Sequence, residues 1–246
     1  MKNDVTIVTR VRNRNHILKD TLSNWSQFNV PIIVVDFRDD GCESAWEVAE
    51  GNDLVRVIET KYEYMFLPNH AWNLGLSQVQ TDFVLVIDVD DVITPDFFAI
   101  NRLDDASVFF TGCDFTDSTR TGLYGVLYIN TKHICDIGGY NENLIYMGYG
   151  DIDLCNRLKE SGLRSQVIDK KTMQHKRHAP NLTMKNQIVG FDDSKREVRR
   201  LACSFNTQLA KLVSWDGSNV TQWSLFELQR NRLVSVRLRG DYEPSV

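Results

Sequence analysis

Long apolar runs are missing from this chain. Its longest, Pro31–Val35 and Phe83–Ile87, are five residues each, far short of the roughly 20 residues a membrane-spanning helix needs. Met1–Arg14 alternates apolar and charged residues and lacks the continuous apolar core of a secretory signal. Cysteine is sparse: there are 5, an odd number, and no pair has C-x-x-C spacing. That leaves no disulfide framework, and the expected state is free thiols in a soluble protein of a reducing cytosol. An excess of positive charge is missing too. With 28 Lys+Arg against 33 Asp+Glu the net charge is -5, which argues against a general nucleic-acid binder. Internal repeats and low-complexity tracts are absent, and 42% apolar with 25% charged residues excludes bulk disorder.

The charge that is present is unevenly placed. Residues 1–150 carry 11 Lys+Arg and 22 Asp+Glu, whereas residues 151–246 carry 17 and 11. The first part suits a divalent cation; the basic second part could meet phosphates, an anionic partner or a membrane surface. Val5–Thr9, Pro31–Asp36, Leu54–Glu59 and Phe83–Asp88 read as strands, the second and fourth too apolar to face water on either side. Helical spacing over Asn15–Phe28, Glu43–Ala49 and Asn69–Val79 separates them. This alternation predicts an α/β chain with a mostly parallel sheet flanked by helices, whose ligands bind beyond the carboxyl ends of the strands. Ser107–Asp114 and Thr121–Ile129 are expected as short strands, and Thr131–Asp136, Asp151–Ser161, Ser194–Trp215 and Thr221–Val236 as helices. A domain of residues 1–180 followed by a helical extension over 181–246 is the expected division. The two last helices could pack on the domain, bind acceptor or form a homodimer.

Asp88-Val89-Asp90-Asp91 closes an apolar strand. Three carboxylates so near one another repel strongly in low dielectric, so they are spread into solvent or held by a hard cation. Alternation along an extended chain would turn Asp88 and Asp90 to one side and Asp91 to the other. Oxygen ligands of this kind suit Mg²⁺ or Mn²⁺. The plainer alternative makes Asp91 and Thr94 the start of a helix Pro95–Asn101.

A D-x-D motif in this place, downstream of VTIVTRVRNR, VVDFRDD and AWNLGL and upstream of IGGYNENLIYMGYGDIDLCNRL, resembles the GT-A fold of nucleotide-sugar-dependent glycosyltransferases. The first half is similar to family 2 of that group and the second to the β-1,4-galactosyltransferases. The resemblance covers about Val5–His178. It implies a nucleotide site lined by Thr9, Arg10, Arg12 and Asn73, with Asp36 accepting a hydrogen bond from the base. A UDP-sugar is favoured, although the same group could accept from guanine. It further implies Asp88 on the ribose, Asp90 as metal ligand and Gly139 near the donor sugar. Asp151 would be the catalytic base, and His175, ahead of His178, a further ligand suited to Mn²⁺. The sequence departs from the pattern at Arg10 (usually Pro), Trp72 (often Arg), Met147 (Trp) and Gly150 (Glu).

The implied reaction is inverting transfer of a hexose to a glycan hydroxyl. Three rivals stand beside it. Asp88-Val89-Asp90-Asp91-Val92 also fits the nucleophile motif of haloacid-dehalogenase-type phosphatases, but there the strand usually opens the domain. A nucleotidyltransferase would need a glycine-rich loop after the first strand, and Thr9–Arg14 has no glycine. A nucleotide-sugar-binding module without turnover would keep the fold and need not keep Asp151.

Overall fold

The computed structural model describes residues 4–38, 41–60, 67–115, 123–144, 148–176, 196–215, 217, 223–229 and 232–238. Strands β1 (Val5–Val11), β2 (Ile32–Asp36), β3 (Val55–Glu59) and β4 (Phe83–Val86) alternate with helices α1 (Asn15–Trp25), α2 (Ala45–Val48) and α3 (Pro68–Leu76). There follow β5 (Asp91–Ile93), α4 (Phe97–Ile100), β6 (Val108–Thr111), β7 (Leu127–Asn130), α5 (Thr131–Asp136), α6 (Gly150–Glu160), β8 (Arg164–Val167) and β9 (Met173–His175). The last described elements are a helix, α7 (Arg196–Leu212), and strands β10 (Trp223–Gln229) and β11 (Arg232–Leu238).

Nine strands form one sheet in the order β10-β11-β3-β2-β1-β4-β7-β6-β8. Pairing is parallel except at β10–β11, β4–β7 and β7–β6. The early strands are apolar on both sides because both sheet faces are covered. Ile7, Ile32, Val34, Val57 and Leu85 point to one face, where Leu18, Leu22 and Trp25 of α1 pack. Val8, Ile33, Val35, Val84 and Val86 point to the other, against Trp72 and Leu74 of α3 and Leu154 and Leu158 of α6.

The strand order reverses between β1 and β4. From β1 the chain steps to β2 and β3 on one side, and β4 lies on the other. Helices leaving such a point diverge and open a crevice at the carboxyl ends of the strands. Thr9–Arg14 and Asp88–Asp91 both lie there.

The structure corrects one expected element. Residues 223–229 and 232–238 form an antiparallel hairpin instead of a helix, and β11 pairs with β3 at the edge of the sheet. The segment RLVSVRL is rich in β-branched and alternating residues, and an open parallel edge offers its backbone a complete ladder, which outweighs a loose helical spacing. The expected boundary near residue 180 lies outside the described residues.

Gly75 shows how closely α3 is laid on the sheet: a Cβ there would stand 2.5 Å from Cγ1 of the buried Val8. Alanine gains about 1 kcal/mol of helix propensity, but overpacking costs about 1–3 kcal/mol. Gly75→Ala is therefore expected to lower stability by up to roughly 2 kcal/mol, read as a lower urea midpoint with an unchanged m-value.

Candidate active site

The acidic cluster is shaped by a turn. β4 stops at Val86, and the Asp91 backbone N–H returns to the Asp88 carbonyl at 3.1 Å. The chain is no longer extended here, so simple alternation fails. Asp90 and Asp91 fall on one site with His175, their ligand atoms all within 4.8 Å of one another. This corrects the expectation that Asp91 turns to the opposite side; Asp88 still lies within electrostatic reach of Asp90 and His175. The cluster also gives Asp91 a place other than the helix cap of the plainer alternative; Asp96 is the residue that precedes α4.

β5 and β9 make this juxtaposition by pairing antiparallel with Asp91 directly opposite His175. His175 Nδ1 lies 2.8 Å from Asp91 Oδ1 and 3.8 Å from Asp90 Oδ1. The ladder is fastened to α1: Asn24 exchanges two 3.0 Å hydrogen bonds with the Ile93 backbone, and Trp25 Nε1 donates to the Asp91 carbonyl at 3.2 Å. Lys176 N–H donates to the Asp90 carbonyl at 2.7 Å. His178 lies outside the described residues.

Charge around the cluster is balanced from β1 and its exit. Arg14 Nη1 donates to Asp90 Oδ2 at 2.8 Å, and Arg10 Nη2 stands 3.9 Å from Asp88 Oδ1. Burial raises Asp91 to about 7, against the lowering effect of the His175 hydrogen bond. That same bond raises the His175 imidazole. Asp88 is raised by desolvation and drawn back by Arg10. Asp91 Oδ2 is buried without a hydrogen-bond partner. Two carboxylates, an imidazole and an unused buried oxygen fit a hard or borderline dication such as Mg²⁺ or Mn²⁺.

Arg10 also lies over the Trp72 ring, 4.5 Å from its centroid, and Trp72 stacks on Tyr140 at 5.9 Å. Trp72 is fully buried, so where the family pattern often has arginine this chain has a core aromatic carrying an arginine from the neighbouring strand. Asp151 opens α6 and feels both Asp88 and Arg10. Burial first, then the Asp88 charge, raise it to about 7, and Arg10 opposes them.

Asp36 ends β2 fully buried. Its Oδ2 accepts the Ala45 N–H at 2.7 Å, while Oδ1 has no partner. The residue therefore caps α2 and keeps one acceptor unused. The buried Thr9 hydroxyl is likewise unpartnered. Arg12 is half-buried at the end of β1.

Asn73, expected at the nucleotide site, is hydrogen-bonded to the loop that follows Gly139. Its Oδ1 accepts the Tyr140 N–H at 2.8 Å, and its Nδ2 donates to the Tyr140 carbonyl at 2.8 Å and to Glu142 Oε1 at 2.7 Å. From the same helix His70 Nδ1 meets Glu142 Oε2 at 2.7 Å, and Asn69 donates to the Asn141 carbonyl at 2.8 Å. Three polar residues of α3 thus lace the Gly139–Leu144 loop to the core. Gly139 has φ +69, and a Cβ there would strike Asn73. A Cβ on Gly150 would strike Asn69, which accounts for glycine where the pattern has Glu. The C-terminal segment adds a brace: Asn206 of α7 donates to the Gly148 carbonyl and Trp215 Nε1 to the Gly138 carbonyl, both at 2.9 Å.

Comparison with known proteins agrees with this fold. Residues 6–104 match the model of "Glycosyl transferase family 2" and residues 105–179 that of the "N-terminal domain of galactosyltransferase". A mannosyltransferase from Pyrobaculum calidifontis, solved with GDP-Man and Mn²⁺, superposes with a TM-score of 0.55 at 18% identity. The match covers 68% of this chain and 55% of that one, so this chain spans about half its length. The catalytic domain of Drosophila β1,4-galactosyltransferase 7, solved with xylobiose, gives 0.59 at 11% identity over 92% of this chain and 87% of that one. A mutant of the Drosophila enzyme with manganese, UDP-Gal and xylobiose gives 0.52 at 11% over 80% and 78%. No curated protein sequence matches the chain.

Asp36 makes the site cost stability in a defined pH range. Burial raises it from 3.8 to about 6, so the folded state holds its proton where the unfolded chain has lost it. Stability is greatest below about pH 4 and falls as pH rises to about 6, by up to about 3 kcal/mol from this group. Asp36→Asn is expected to remove that component, so the variant gains on wild type across this window in urea titrations at successive pH values.

Proposed function

We propose that this chain, a GT-A-fold protein with a family 2-like first half and a galactosyltransferase-like second half, is an inverting hexosyltransferase. It takes a nucleoside-diphosphate sugar, with UDP favoured, and a glycan hydroxyl as acceptor. One observation carries this reading. Asp90, Asp91 and His175 gather at the reversal of strand order, and Asp88 and Arg10 connect that cluster electrostatically to Asp151.

The residues divide the work by chemistry. Asp36 Oδ1, an unpartnered acceptor, receives the base N–H, and Thr9 offers its hydroxyl nearby. Arg10 and Arg12 face the ribose and diphosphate with guanidinium donors. Asn73 positions the loop that carries Gly139 and so acts on the donor sugar through the backbone. Asp90, Asp91 and His175 would hold Mn²⁺ or Mg²⁺, which supplies positive charge where the departing diphosphate gains negative charge. Asp91, hydrogen-bonded to His175, orients the imidazole as carboxylates do beside histidine ligands.

Asp151 accepts the proton of the acceptor hydroxyl as that oxygen bonds to the anomeric carbon. The bond from that carbon to the diphosphate oxygen breaks at the same time, and the electron pair leaves with the nucleotide. A base near 7 is matched to this task, since about half of it is ionised at neutral pH and it is basic enough to take the proton.

Asp151→Asn is expected to lower transfer about 10²–10⁴-fold with donor affinity retained in calorimetry. Wild-type kcat/KM is expected to rise as pH climbs through about 7, as Asp151 ionises. Asp90→Ala is expected to lose Mn²⁺-dependent donor binding. Product formation across a panel of sugar nucleotides and acceptors tests the reading as a whole; donor binding without transfer to any acceptor would favour a module without turnover.

A further inference from the structure

Helix α7 has two unlike sides. Asn206 and Cys203 turn inward, Asn206 onto the Gly148 carbonyl and Cys203 against the Gly148 backbone. The outward side carries a narrow apolar stripe beside exposed Ser204 and Gln208. Leu201 is 72% exposed, Phe205 54% and Leu212 82%, and Val213 follows at 38%. Among the residues whose side-chain exposure is described, only Ile100 and Val167 are other large exposed hydrophobics, so the described exposed apolar surface is concentrated on this helix. At about 100° per residue, Leu201, Phe205 and Leu212 fall within an arc of roughly 40°. Exposed Arg200 and Lys211 share one flank of that arc, about 80–100° from Leu201. The sequence entering the helix, Lys195-Arg196-Glu197-Val198-Arg199-Arg200, is basic as well.

A second copy of the chain is a poor occupant for this face. In an antiparallel pair Leu201 would lie opposite the partner's Leu212, and Arg200 would then meet the partner's Lys211 on the same flank, like charge against like. An anionic lipid surface accepts both features at once, because the leucines and phenylalanine enter the acyl boundary while the basic flank meets headgroup phosphates. The acidic body, residues 1–150, is repelled by the same surface and would be held away from it. No helix among the described residues is long and apolar enough to cross a membrane, so α7 would lie in the interface plane. We propose that α7 docks the protein on anionic bilayers. The docking face is separate from the Asp90, Asp91 and His175 cluster, and the proposal does not depend on the reaction assigned there.

Full-length protein mixed with neutral phosphatidylcholine vesicles, or with vesicles containing about one-third phosphatidylglycerol, provides the test by co-sedimentation. Binding to the anionic vesicles alone, weakened in 0.5 M salt, is expected. Arg200→Glu with Lys211→Glu is expected to weaken it at least tenfold, since each basic residue near such a surface contributes about fivefold. Leu201→Ser with Phe205→Ser should abolish it with the far-UV spectrum unchanged. The same variants should keep wild-type transfer to a soluble acceptor. Absence of vesicle binding, or equal binding to neutral vesicles, would overturn the proposal. So would a concentration-dependent dimer in analytical ultracentrifugation that Leu201→Ser with Phe205→Ser converts to monomer. Vesicle binding and sedimentation are both read without turnover, so an error in the assigned reaction changes neither outcome.

Discussion

Repulsion among Asp88, Asp90 and Asp91 is the constraint that organises this molecule. Three carboxylates at the end of a buried strand are tolerated only with opposite charge brought to them. The sheet brings it from one place: Arg10 lies at the end of β1, and Arg14 immediately precedes α1. Because β1 is the strand beside β4, and the order reverses between them, the cationic and acidic segments share one crevice. His175 arrives from far along the chain, and the short β5–β9 ladder fixes it opposite Asp91. A site balanced by side-chain cations holds its carboxylates together without any change to the sheet.

The second half of the site depends on α3. Its buried Asn69, His70 and Asn73 face a loop that has no regular structure of its own. Polar groups buried in this way must be satisfied, and here each bond made also removes freedom from the loop. The glycines at 139 and 150 are the spatial counterpart of those side chains. α7 and Trp215 brace the same region from outside, so residues beyond the matched families take part in shaping it.

Much of this is legible in the sequence. Strands β1 to β4 announce themselves because burial on both faces leaves no choice but apolar residues, and Asp36 and Asp88 stand at the strand ends where ligands gather. The rest is hidden by geometry that the one-dimensional pattern does not carry. The turn from Asp88 to Asp91 cancels the alternation that would assign these side chains to opposite sides. Nothing in the spacing of Asn73 reveals that Tyr140, 67 positions later, and Glu142 share its amide. The hairpin Trp223–Leu238 reads as a helix because its partner, the edge strand β3, is far away in sequence.

Position 150 illustrates what such packing does to evolutionary change. The space a larger side chain would need is filled by Asn69, whose amide is meanwhile tied to Asn141. A descendant acquiring glutamate at 150 would first have to shorten or redirect residue 69, and that step alone would loosen the Gly139–Leu144 loop. The two sites are therefore expected to drift as a pair. A lineage keeping this asparagine in place is confined to glycine at 150, since even a Cβ would strike it, and any variation in the shape of the crevice must come from its other walls.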